Sequence, residues 1–119
     1  MENKNYSIVS VNEEPRVELH NKLNLTGAEI SVNILPEGSC VPFVHSHKQN
    51  EEIYIILSGK GKAVIDGEDV ELSSGDFIKI SPKAKRQFFA SQKESLKYIC
   101  IQVKENSLQG FTATDAIIC

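Results

Sequence analysis

Short apolar stretches bounded by Gly, Pro, Asp and Ser recur about every ten residues along the chain, and helical periodicity is hard to find. Residues 28–34 alternate strictly, with Ala28, Ile30, Val32 and Ile34 on one face and polar side chains on the other. Residues 53–57 are apolar on both faces, which is typical of a strand covered on both sides. The pattern predicts an all-β sandwich or barrel.

Turn residues divide these stretches into short strands. Asp66-Gly67 is the strongest hairpin signal, and the segment Ser58-Gly59-Lys60-Gly61 is also predicted to turn the chain. Residues 13–21 fit neither strand nor helix clearly, and residues 111–119 fit a strand or a loose end. No linker or repeat divides the chain, so we expect one domain over residues 1–119, with its core at about 26–104. Further strands are predicted at 63–65, 70–72, 77–80, 87–89 and 96–103.

Charge and composition narrow the function. The 119 residues carry 13 Lys and Arg against 16 Asp and Glu, a net charge of -3, which does not favour a nucleic-acid partner. The polar N-terminus and the lack of a long apolar run predict no membrane segment and a cytoplasmic location. Cys40 and Cys100 lie among apolar residues and are predicted to be small buried side chains.

Two of the three histidines form a His-x-His pair, His45 and His47. In an extended chain both rings point to the same side, about 6.6 Å apart along the strand. Glu52 follows at the start of the next apolar stretch and can bring a carboxylate to the same point. Two imidazoles and one carboxylate suit a divalent metal such as Zn, Mn, Fe or Ni. His20 lies apart from them and is expected to face solvent.

The segment from His45 to Gly59 resembles the first signature of the cupin superfamily, which has two histidines, a glutamate and a glycine at these spacings. Gly38 precedes it, one residue further from His45 than in the usual pattern. The family spacing admits either Glu51 or Glu52. We favour Glu52, because it has the six-residue distance to Gly59 and shares a strand face with Tyr54.

A second segment, from Gly75 to Gln87, resembles the second cupin signature with two changes. Ala84 stands where the family has a glycine, and Gln87 stands where it places a fourth ligand, a histidine. Gln87 could ligate through its amide oxygen, bond to a metal-bound water, or only fill space. Tyr54 is a candidate cavity residue that either offers its hydroxyl to a substrate or is a core aromatic.

The resemblance implies a double-stranded β-helix, or jelly-roll barrel, that holds one divalent cation on His45, His47, Glu52 and Gln87. Small cupins include dioxygenases, isomerases, lyases and sugar-binding modules, so the resemblance supports the site better than any reaction. We expect a metal-binding protein that acts on a small polar molecule. The alternative is a non-catalytic module that binds or senses a sugar or small acid, and a structural protein with a vestigial site is a third possibility.

Two surface features complete the expectations. Phe88 and Phe89 must point to opposite faces of their strand, and with Ile99 and Ile101 the outer ring predicts a homodimer interface, as is common among small cupins. Lys79, Lys83, Lys85 and Arg86 form a basic cluster, which is expected to be either a solvated turn or an attractor of anionic substrates.

Overall fold

Antiparallel β-strands make up most of the molecule, which confirms the all-β prediction. The computed structural model describes residues 5–119, and in that range neither of the two short helices is long enough to cross a membrane. The elements are β1 (Arg16–Glu18), α1 (His20–Leu23), β2 (Glu29–Leu35), β3 (Asn50–Ile65), β4 (Glu68–Ser73), β5 (Phe77–Ile80), β6 (Arg86–Ala90), β7 (Leu96–Lys104) and α2 (Thr112–Asp115).

Strand β3 connects the two halves of the fold. Its first part pairs with β7 and β5, and its second part pairs with β4 and β6. The strand order β1-β2-β7-β3-β4 places β3 beside β7, and β2 beyond it. In the first part of β3, Glu52, Tyr54 and Ile56 are the buried residues, and they alternate with half-buried ones.

The predicted turn at residues 58–61 is wrong, because β3 runs through this segment with only a bulge between Ile56 and Ser58. Gly59 and Gly61 lie where the backbone of other segments comes close to β3. A Cβ on Gly59 would collide with the carbonyl oxygen of Ser95, and a Cβ on Gly61 would collide with that of Phe89. Glycine here therefore allows neighbouring strands to approach β3 closely.

The Asp66-Gly67 hairpin is confirmed. Asp66 has φ 50° and Gly67 has φ 84°, the left-handed values that a two-residue hairpin turn of this type requires. Strand β4 returns antiparallel to β3, with Ile65 opposite Glu68. This hairpin extends β3 at the end opposite to Glu52.

Aromatic rings fill the inner core. Tyr54 and Phe88 stack with centroids 4.1 Å apart, and Phe88 and Tyr98 stack at 5.4 Å. Phe88 is 2% exposed, while Phe89 is half-buried on the other face with Lys62 over its ring, so the two phenylalanines point in opposite directions as predicted. These three stacked rings form a floor beneath the interior carboxylate of Glu52.

A second, smaller apolar cluster lies on the outside of the sheet. Val17 of β1 and Val32 of β2 are buried there, and Ile99 packs against them. Ile99 was expected at a subunit interface, and the structure corrects this, since the N-terminal segment of the same chain covers it. The apolar face of β2 thus points outward, and its polar face, with Ser31 and Asn33, is buried inside.

The ambiguous ends acquire local structure. Residues 13–21 contribute strand β1 and the start of α1, and residues 111–119 contain α2 instead of a strand. His20 is exposed, as expected. Cys100 is buried as predicted, whereas the prediction for Cys40 is wrong, because that side chain is exposed.

Replacing Gly59 by Ala tests the close approach of β3 to its neighbour. We expect Gly59→Ala to lower the free energy of unfolding by about 3 kcal/mol or more, because the new methyl collides with backbone. Gly67→Ala is the matched control, since Gly67 has a similar φ of +84° and open space around it. That variant should lose only about 1 to 2 kcal/mol from backbone strain. Urea unfolding measures both, and equal losses would contradict the steric account.

Candidate metal centre

The two histidines lie on the segment between β2 and β3, which backbone hydrogen bonds tie to the β5–β6 region. The amide of His45 donates to the carbonyl of Arg86 at 3.1 Å, and the Arg86 amide donates back to His45 at 2.9 Å. The amide of His47 donates to the carbonyl of Pro82 at 2.7 Å. These bonds bring both imidazoles to one place, with ring centroids 5.1 Å apart.

Glu52 completes the group. Its Oε2 lies 2.9 Å from His47 Nε2, and its Oε1 lies 3.9 Å from His45 Nε2. One ligand atom from each of the three residues can be chosen so that all lie within 4.8 Å of one another. Two donors bound at right angles to one cation, each about 2.1 Å from it, are about 3 Å apart. The 2.9 Å between Glu52 and His47 matches this spacing, and the group as a whole needs to contract only slightly around a single cation.

Strand alternation explains why Glu52, and not Glu51, joins the histidines. Glu52 is 3% exposed and shares the inward face of β3 with Tyr54 and Ile56. Glu51 occupies the intervening position, opposite Val103 of β7, and is only half-buried. The structure places the carboxylate of Glu52 in the group.

Arg86 is the residue that sequence reasoning missed at this site. Its Nη1 donates to Glu52 Oε1 at 2.9 Å, and its Nη2 donates to the carbonyl of Ser81 at 2.6 Å. The side chain is fully buried, so its assignment to a solvated basic cluster is wrong. Arg86 is in phase with the buried residues Phe88 and Ala90 of β6, and this phase was the available signal.

Gln87 lies at the alternate position of the same strand, opposite Val64. It is half-buried and contributes to the cavity wall, and its amide nitrogen donates to the carbonyl of Val41 at 2.7 Å. That bond fixes the amide against the segment that carries the histidines. Ligation by Gln87 stays a prediction.

Tyr54 lies in the cavity wall, and its hydroxyl donates to Glu52 Oε1 at 2.6 Å. Burial raises the pKa of Tyr54, and the nearby Cys100 and Glu52 add to the shift. Burial also raises the pKa of Cys100 to about 12. Both side chains therefore stay protonated at neutral pH. With Arg86 and Tyr54 on Oε1, the other carboxylate oxygen faces His47.

The protonation of His45 suits a metal ligand. Burial lowers its pKa below the ordinary 6.5, and Glu52 opposes this shift only in part. Its Nδ1 is buried without a hydrogen-bond partner among the residues described. Metal binding requires neutral imidazole and ionised carboxylate. A neutral His45 beside the Arg86-paired Glu52 fits that requirement.

A cavity of about 530 Å³ opens above this group. His45, His47, Glu52 and Tyr54 line it together with polar side chains of β1 and β2. A larger groove of about 800 Å³ lies elsewhere, but its described lining residues include no histidine. The smaller cavity is therefore the one that joins the candidate ligands to space for a small molecule.

Comparison with known proteins agrees with this site. The family model described as cupin domain matches residues 31–102, which include both histidines, Glu52 and Gln87. A crystal structure of a cupin protein from Bacteroides fragilis is 57% identical, covers 98% of each chain and superposes with a TM-score of 0.95. The double-stranded β-helix predicted from the sequence is thereby confirmed.

More distant relatives share parts of the chain. The uncharacterized protein MJ1618 of Methanocaldococcus jannaschii is 39% identical over 67 residues, which are 56% of this chain and 53% of that protein, so the match spans about half the relative's length. The structure of a predicted oxalate decarboxylase from Thermotoga maritima is 27% identical over 72% of this chain and 70% of that one, with a TM-score of 0.57. On the match to more than half of its residues, the chain belongs to the cupin family.

Proposed function

We propose that this cupin holds one divalent cation, Zn, Mn, Fe or Ni, on His45, His47 and Glu52 and uses it on a small polar molecule in the barrel cavity. The observation that carries the proposal is the convergence of two imidazoles and one buried carboxylate at the cavity floor, within 4.8 Å of one another. A bound cation would act there as a Lewis acid that polarises a substrate oxygen.

The residues around the ligands have separate tasks in this proposal. Arg86 and Tyr54 hold Oε1 of Glu52, so the carboxylate is oriented to ligate through Oε2. Tyr54 stays protonated, and it holds the carboxylate rather than accepting a proton from the substrate. The stacked rings of Phe88 and Tyr54 add an apolar surface to the wall of the same cavity. Above the ligands, the cavity leaves room for the substrate.

The name of the Thermotoga maritima relative, a predicted oxalate decarboxylase, is consistent with a small acid as substrate. The reaction is not fixed by that name, because related barrels carry different reactions on similar sites.

Metal uptake tests the ligand set. We expect the purified protein to bind about one zinc ion per chain in a calorimetric titration, and His47→Ala to reduce the affinity at least roughly 100-fold, because it removes a ligand. His20→Ala is the matched control, since His20 is exposed and apart from the site. It should bind zinc as the parent protein does. A parent protein that takes up no zinc, manganese, iron or nickel would overturn the proposal.

The same titration tests whether the carboxylate of Glu52 and the amide of Gln87 are metal ligands. Glu52→Gln should abolish binding, while Glu51→Gln, which changes the neighbouring carboxylate in the same way, should leave it unchanged. Gln87→Ala should weaken binding if the amide ligates, and unchanged affinity removes Gln87 from the ligand set.

Arg86 should stabilise the protein in the absence of metal, and its positive charge should weaken the binding of a cation. Arg86→Met leaves a buried carboxylate unpaired, and we expect the metal-free protein to lose about 3 to 5 kcal/mol of unfolding free energy. Zinc should then stabilise the variant more than it stabilises the parent, because the cation replaces the lost charge. Lys85→Met, a change at the exposed neighbour, is the control. Equal zinc stabilisation of variant and parent contradicts this role.

A non-catalytic binding module is the second candidate function. The observation that favours it is the Arg86–Glu52 ion pair, which neutralises the buried carboxylate without a metal and so keeps the cavity assembled. Gln87, which stands where cupins usually have a fourth ligand, a histidine, also favours the non-catalytic module. A protein that binds small acids or sugars without added metal and converts none of them would support this candidate.

The homodimer also stays a proposal, as does the cytoplasmic location. Phe77 is 71% exposed on β5, opposite the half-buried Ile55 on the outer face of the sheet. We take this exposed ring as the candidate subunit contact. We expect light scattering to give twice the chain mass of 13.2 kDa, and Phe77→Glu to shift it toward the monomer. A monomeric parent protein contradicts the proposal.

A further inference from the structure

Three polar side chains form a wall of the cavity beside the candidate ligands. This polar wall consists of Arg16 of β1 and of Ser31 and Asn33 of β2. Ser31 is 4% exposed and Asn33 is 5% exposed. Burying polar side chains lowers stability unless hydrogen bonds compensate, so an interior that served folding alone would place apolar residues here.

The hydrogen bonds of the polar wall run in one direction, from Arg16 through Asn33 to Ser31. Arg16 Nη1 donates to Asn33 Oδ1 at 2.7 Å, and Asn33 Nδ2 donates to Ser31 Oγ at 3.0 Å. Among the described residues, the hydroxyl proton of Ser31 has no acceptor. Each donor in the chain reinforces the next. The chain ends on a buried hydroxyl that is free to donate to a molecule in the cavity.

Arg16 gives the polar wall a positive charge. Of the described residues that line the cavity, it is the one arginine or lysine. The Arg16 side chain is 53% exposed and that of its partner Glu18, 2.9 Å away, is 61% exposed, so water weakens that ion pair. The guanidinium nevertheless extends to the buried Asn33, whose Oδ1 accepts its hydrogen bond at 2.7 Å.

The register of the sheet places Ser31 in the row next to that of Glu52, and Arg16 further from it. Ser31 pairs with Cys100, which pairs with Tyr54 on the inward face of β3. Arg16 pairs with Asn33, one row further along. The row of Arg16 runs through Asn33 and Tyr98 to Ile56 of β3, about 14 Å away along the sheet, and Glu52 lies four residues before Ile56. A molecule of several carbon atoms would span the space between the two groups.

We propose that the polar wall is an anion-binding subsite, and that the ligand of this cupin is a hydroxylated carboxylate whose acid group binds Arg16 and whose hydroxyl binds Ser31. The other end of the ligand reaches the cation, so this inference rests on the proposed function. Arg16 is suited to the task because a guanidinium recognises a carboxylate through two parallel hydrogen bonds. Glu18 would then yield its bond to Arg16 to the ligand.

Gluconate and sorbitol test the subsite, since they share a hydroxylated six-carbon chain and differ in the carboxylate. We expect the zinc-loaded protein to bind gluconate at least roughly 10-fold more tightly than sorbitol in a calorimetric titration. Arg16→Gln should weaken gluconate roughly 10- to 100-fold and leave sorbitol unchanged. Arg16→Lys, which keeps the charge, should recover part of the affinity. Ser31→Ala should weaken both probes.

The outcomes separate this inference from the proposed function. Zinc titration of Arg16→Gln should give the affinity of the parent protein, which shows that its site is intact. If the parent protein binds no zinc, the proposed function fails, and with it the premise of the subsite. If it binds zinc but does not prefer gluconate to sorbitol, or if Arg16→Gln binds gluconate as the parent does, the subsite is overturned and the metal site stands.

Discussion

The carboxylate of Glu52 is the interaction on which the interior depends. It is almost completely buried, and four side chains surround it: His45, His47, Tyr54 and Arg86. A lone buried carboxylate would cost several kcal/mol, and the pairing with Arg86 offsets this cost in the metal-free chain. The same pairing opposes metal binding, since a divalent cation and the guanidinium of Arg86 compete for the negative charge of Glu52.

The arrangement of the sheet makes room for this charged interior. The apolar face of β2 packs outward against Val17 and the N-terminal segment, so its other face is free to carry polar groups into the cavity. The aromatic rings of Tyr54, Phe88 and Tyr98 supply the apolar floor below. Apolar packing and polar recognition thus occupy different faces of the same strands.

Local signals in the sequence predict much of this arrangement. The Asp66-Gly67 turn and the spacing of His45, His47 and Glu52 depend on neighbouring residues, and they appear in the structure as predicted. The continuity of β3 through Gly59 could not be predicted, because Gly59 pairs there with Leu96 of β7, which lies far away in the chain. The burial of Arg86 follows the phase of a five-residue strand, which the sequence contains, but its partner Glu52 lies 34 residues away in the chain.

Anomalous diffraction from a crystal soaked in zinc, recorded at the zinc absorption edge, tests the central claim most directly. The account predicts one strong peak at the cavity floor, about 2.0 to 2.2 Å from a nitrogen of His45, a nitrogen of His47 and Oε2 of Glu52. Arg86 should still contact Oε1 in that crystal. A map with no peak at these three side chains, and with Glu52 contacted only by protein side chains such as Arg86 and Tyr54, would contradict the account.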